Sequence, residues 1–135
     1  MYKLVKKKSV SQLKKLADKE FSKYVRLRDG PVCITCEDPK GLIHAGHFMG
    51  RRFSSTRFEE ENVNSQCAKC NTFNHGEQYK YALALDLKYG DGTAARLSKT
   101  AQEHHKFTTS ELEEIIHDAK EQVKFMTRAV NHPNP

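Results

Sequence analysis

The chain has 135 residues, 37% hydrophobic and 30% charged, with a formal net charge of +6 and no tryptophan. That length suits one domain with a modest core. No apolar run is long enough to span a bilayer and no signal-peptide pattern follows Met1, so the expected location is the cytoplasm, with no membrane partner.

The positive excess favours a polyanion. Lys3, Lys6, Lys7, Lys8, Lys14 and Lys15 crowd the N-terminus, and Arg51, Arg52 and Arg57 follow a pair of histidines. A block of lysines is also what a solvated face looks like, so the arginines beside the histidines carry more of the argument.

Residues 1–8 read as a flexible basic lead. Ser9 or Ser11 can cap a helix over 9–30, in which Val10, Leu13, Leu16, Ala17, Phe21, Tyr24 and Val25 form one apolar stripe. Gly30 and Pro31 end it. Val32 to Cys36 is a tight turn, and Leu42 to Met49 a short strand with Ile43, Ala45 and His47 on one face and His44, Gly46 and Phe48 on the other. Gly50 to Arg57 is a basic loop, and Phe58 to Gln66 is extended or irregular. A short helix opens at Asn71. Residues 77–130 are helical, first over Glu77 to Tyr89 with Tyr81, Leu83, Ala84, Leu87 and Ala82 or Leu85 as contacts, then around Thr93 to Gln102. The last helix is announced by the pairs Thr108/Glu111 and Ser110/Glu113 and carries a stripe from Leu112 to Val130. Residues 131–135 are a tail. The class is therefore α+β and mostly helical, and the segment 32–76 is its chemical centre.

All four cysteines fall in two CxxC pairs, Cys33/Cys36 and Cys67/Cys70. In a reducing compartment such pairs read as metal ligands rather than disulfides. Four thiolates make the closed tetrahedral shell of a structural zinc site. A closed shell hydrolyses nothing, so any working metal must lie elsewhere.

With His47 between the pairs, Asn62 five positions before Cys67, and Asn71 directly after Cys70, residues 32–76 resemble the zinc-stapled form of the HNH endonuclease motif. The resemblance implies a treble-clef-like β-β-α metal finger. The phrase His44-Ala45-Gly46-His47-Phe48, the segment Arg57-Phe58-Glu59 to Asn62, Gln66-Cys67 and Cys70-Asn71, with the helical lead, are also similar to the NinG or Rap family of lambdoid phages. That family implies a recombination endonuclease cutting branched DNA such as Holliday junctions or D-loops, in the host cytoplasm if phage-encoded.

Hydrolysis of a phosphodiester needs an activated water, and a neutral imidazole can take its proton. On this reading His47 is the general base, Asn71 an oxygen ligand for a Mg²⁺ or Mn²⁺ ion, and Asn62 orients His47 or the loop around it. HNH members often carry Asp or His directly before the catalytic His; this chain has Gly46 there, and His44, on the same strand face as Gly46, is the candidate substitute ligand. His75 is a further candidate by proximity. Gly46 itself would let DNA backbone or the metal approach closely. Arg51, Arg52 and Arg57 could clamp phosphate, with Lys6, Lys7, Lys8 and Lys69 adding DNA contacts.

Two other classes fit the same residues: a non-catalytic zinc module binding DNA or protein, and a homing- or restriction-type HNH enzyme. The first leaves the register of Asn62 and Asn71 unexplained. Paired cutting of a junction would call for a homodimer. The last helix could supply that interface or pack on the first helix as core.

Overall fold

Ser9 opens the first helix: its Oγ accepts from Gln12 N–H while the Gln12 side chain accepts from Ser9 N–H, a reciprocal cap. The computed structural model describes residues 6–131, so the expectations for residues 1–5 and 132–135 lie outside the described residues. Helix α1 spans Val10–Asp29 and buries Leu13, Ala17, Phe21 and Val25 along one face. Gly30 ends it at φ 73°, its N–H bonded to Arg26 O. Strands β1 (Ile43–His47) and β2 (Val63–Cys67) form one antiparallel pair. A 3-10 turn, Glu60–Asn62, leads into β2, and a π-helical turn, Lys69–Phe73, leaves it. Helices α2 (Gln78–Tyr89), α3 (Thr93–Thr100) and α4 (Thr109–Asn131) follow. The result is a mostly helical α+β fold around a two-stranded sheet. No helix among the described residues is long and apolar enough to cross a membrane.

Two helical layers flank the sheet. On one side α4 packs on α1, where Leu112 and Ile116 meet Leu13 and Ala17. Phe58 bridges that core to the sheet, edge-on to both Phe21 and Phe107. The first half of the α4 stripe is thus core, while Phe125 and Val130 near its end are exposed. On the other side α2 and α3 pack Tyr81, Leu85, Ala94 and Leu97 against Phe48.

Several features differ from the sequence reading. The helical turn expected to open at Asn71 already begins at Lys69, so Cys70 and Asn71 both lie within it. The strand is shorter than Leu42 to Met49, because Phe48 already turns inward to the α2 cluster. The segment before Cys67 is regular strand, buried along its whole length although it reads Asn64-Ser65-Gln66. In α2 Tyr81 and Leu85 are buried in the core with Ala82 and Tyr89 packed at its edge; Leu83 and Leu87 are exposed, since residues four apart share a face and the Tyr81 row is the one that meets the sheet.

Polar partners cover that strand. Asn64 takes hydrogen bonds from Tyr89 Oη (2.7 Å), Lys88 Nζ (3.0 Å) and Arg28 Nη2 (3.3 Å). Ser65 N–H donates to Asp29 (2.9 Å). Burial pushes the Asp29 carboxyl up, but the bonds from Arg28 and Ser65 prevail and hold it below the usual carboxylate range. Tyr81 Oη donates to Gly46 O (2.6 Å) and accepts from Asn64 N–H (3.1 Å), so α2 props both strands where Gly46 faces Asn64. Tyr81→Phe leaves those two buried groups without their partner. The expected loss is about 1–3 kcal/mol, read as a fall in denaturation midpoint with unchanged slope.

Candidate metal centre and active-site cleft

Strand β2 delivers Cys67 opposite Ile43, at the end of the ladder. The first knuckle closes on it from the far side, with Ile34 N–H donating to Ser65 O (2.9 Å). Ala68 N–H donates to Leu42 O (2.8 Å), which ties the second knuckle to the start of β1. The four cysteine sulfurs thereby lie within 4.8 Å of one another, three of the residues buried and Cys36 half-buried. Tetrahedral zinc with Zn–S of about 2.3 Å needs sulfurs about 3.8 Å apart. Cys36 and Cys67 Sγ are 3.7 Å apart. The cluster can hold a metal ion such as zinc, and it uses all four thiols.

His47 is half-buried and lines a separate cleft of about 320 Å³. Asp18 and Ser22 of α1, His47 of β1, Arg51 of the following loop and Asn71 of the π-turn line it. His47 Nε2 lies 3.0 Å from Arg57 O. A carbonyl oxygen only accepts, so a neutral His47 carries its proton on Nε2 and leaves Nδ1 with a free lone pair. Burial lowers the His47 pKa, the Arg57 carbonyl opposes that, and the nearby Arg51 charge lowers it further. The ring is therefore neutral at neutral pH and able to accept a proton.

Asn62 is fully buried. Its Oδ1 accepts from Met49 N–H (2.8 Å), and its Nδ2 donates to Met49 O (2.9 Å) and Thr56 O (3.0 Å). Of the two roles expected for it, it performs the second: it fixes the loop after His47, not the ring itself. Asn71 Nδ2 lies 3.0 Å from His44 Nδ1, so these two candidate ligands meet. An imidazole nitrogen and an amide suit a divalent ion once the amide oxygen turns to the same point. His75 is exposed at φ 52° in the turn after the π-helix and does not line the cleft.

Gly46 has a different reason from the one its sequence position offers. A Cβ there would lie 2.1 Å from Gln66 Oε1 and 2.9 Å from Gln66 Cβ. Gln66 is fully buried and its Nε2 is tied to Thr35 Oγ1 (3.0 Å) and Gly76 O (2.8 Å), so it cannot move aside. The space expected for DNA or metal is filled by the protein's own side chain. The arginines also divide. Arg57 is committed to Asp18 through two hydrogen bonds. Arg51 and Arg52 are exposed; Arg51 reaches within 3.8 Å of the same Asp18 carboxylate, and Arg52 lies over the Phe53 ring. Lys69 is exposed two positions before Asn71, while Lys6, Lys7 and Lys8 line a separate groove between the start of α1 and α4.

The family described as Bacteriophage Lambda NinG protein matches residues 1–129. The chain belongs to the NinG family. The protein ninG of Salmonella phage P22 is 26% identical over 113 residues, which cover 82% of this chain and 55% of that protein. The chain thus spans about half the length of this curated relative. No solved structure matches it.

Three residues of this NinG-family site escape a reading of the sequence. Asp18 is one acid in a lysine-rich helix, marked only by its place beside the apolar stripe. Gln66 and Tyr81 look like a strand polar residue and a helix core aromatic, and nothing local shows that both bear on Gly46. For the metal centre the expectation is one tightly held ion per chain. Cobalt substitution should give strong thiolate charge-transfer absorption, and Cys67→Ser should lose both ion and thermal stability; a wild-type chain that purifies metal-free and folded would contradict the centre.

Proposed function

We propose that the chain is a metal-dependent DNA endonuclease of the HNH type, acting on branched recombination intermediates. The observation that carries this reading is His47: half-buried, neutral, with Nε2 bonded to Arg57 O and Nδ1 free, in one cleft with Asn71. The β-hairpin followed by a helical turn, with cysteine pairs at both ends, is the arrangement a β-β-α metal finger requires. The branched-DNA substrate follows from the NinG resemblance and from no feature of the cleft.

In this mechanism His47 Nδ1 accepts a proton from water as its oxygen attacks phosphorus. The P–O3′ bond breaks, leaving a 5′-phosphate, and the departing O3′ takes a proton from solvent water to give a 3′-hydroxyl. The Arg57 carbonyl holds the imidazole through Nε2–H and steadies the imidazolium that forms. Asn62 keeps the 49–56 loop, and with it exposed Arg51, at the mouth of the cleft. Arg51 supplies positive charge for a phosphate oxygen. Asn71 and His44 would hold a divalent ion, which when bound neutralises phosphate charge and stabilises the leaving oxygen.

Linear, nicked, flapped and four-way DNA incubated with Mg²⁺ or Mn²⁺ should be cut, the branched forms fastest, and EDTA should stop it. Binding without cutting under every metal would leave a non-catalytic zinc module instead. The pH profile is a second check. A base with a lowered pKa is deprotonated, and so active, at lower pH; the acid limb of kcat/KM should lie below the ordinary histidine value of about 6.5. Arg51→Ala removes a positive charge near the ring and should move that limb upward.

A further inference from the structure

We infer that Asp18 and Arg57 are a positioning pair that holds the His47 ring in the orientation and tautomer with Nδ1 free. This rests on reading His47 as the base. The chain of contacts is continuous. Arg57 Nε donates to Asp18 Oδ1 (3.1 Å) and Arg57 Nη2 to Asp18 Oδ2 (2.5 Å). Arg57 Nη1 donates to Arg51 O (3.3 Å), so the fork is held by α1 at one edge and by its own loop at the other. The carbonyl of the same residue receives His47 Nε2–H (3.0 Å). Fixing the side chain of Arg57 to the helix therefore fixes the peptide oxygen that orients the ring.

Both partners are largely covered, with side chains 18% and 15% exposed. A phosphate approaching Arg57 would have to displace a bidentate carboxylate. Arg57 therefore acts through His47 and not on the substrate. Asp18 forms part of the cleft wall, so α1 reaches the chemistry directly. If the Arg57 peptide turned away, Nε2 would lose its acceptor, the proton could move to Nδ1, and the lone pair would face the wrong side.

The test uses the zinc-loaded full chain with ¹⁵N-labelled histidine. Long-range ¹H–¹⁵N spectra at neutral pH should show His47 as the Nε2–H tautomer. Asp18→Ala and Arg57→Lys should give a mixture of tautomers and a fall in kcat of about 10- to 100-fold, with KM for DNA unchanged. Asp18→Asn, which keeps the shape and one acceptor oxygen, serves where Asp18→Ala does not fold, and should lie between wild type and Asp18→Ala. A pure Nε2–H tautomer in a folded Asp18 variant overturns the inference. So does an Arg57→Lys chain whose KM rises while its tautomer holds, since that is a phosphate clamp. Should the wild-type protein cut no DNA, the nuclease reading falls, and the tautomer of the Asp18 variants still decides the pair.

Discussion

The antiparallel pairing of Ile43–His47 with Val63–Cys67 decides where every candidate functional group points. Side chains alternate along a strand, so a slip of one residue would carry His47 from the cleft to the opposite face. Two five-residue strands are too short to fix their own register. The cysteines supply what they lack: Cys67 is itself the last residue of β2, opposite Ile43, and the first knuckle bonds to β2 through Ile34 and Ser65. A metal in the thiol cluster would thus act as a register pin, which links a site with no open position to a cleft that it never touches.

From the other side, α2 and α1 brace the same pair. Tyr81 holds Gly46 O and Asn64 N–H together, while Arg28 donates to Val63 O, Lys88 donates to Asn64 Oδ1 and Asp29 accepts from Ser65 N–H. Buried polar groups left unpaired are costly, and these partners all sit on α1 or α2, which must be docked before the bonds can form. The helices are therefore more than packing: they supply the partners with which Asn64 and the Ser65 N–H are buried.

The parts legible in the sequence are those whose cause is local. Ser9 with Gln12, Thr108 with Glu111, the α1 stripe and the two CxxC turns all announce themselves within a few residues. The meeting of the four cysteines is legible because the knuckles set the spacing, while His44 comes beside Asn71 as the HNH resemblance and the strand alternation imply. What could not be read depends on contacts across the fold. Arg57 looked like a free phosphate clamp because its partner, Asp18, is 39 positions away. Gly46 looked like an opening because Gln66, which fills the space, sits on the other strand. Leu83 and Leu87 looked like core because α2 carries apolar residues on more than one face.

These pieces separate two sites and two proposed tasks. A metal in the thiol cluster would pin the register, and the His47 cleft holds a neutral imidazole whose orientation through Arg57 is the proposal made above. Membership in the NinG family is consistent with both but names no chemistry. The most direct measurement is single-turnover cleavage of four-way DNA by zinc-loaded wild-type protein and by His47→Ala, each with confirmed zinc content, fold and DNA binding. The account predicts that His47→Ala binds DNA as before and does not cut it. Metal-dependent cutting by clean His47→Ala protein at the wild-type rate would contradict it.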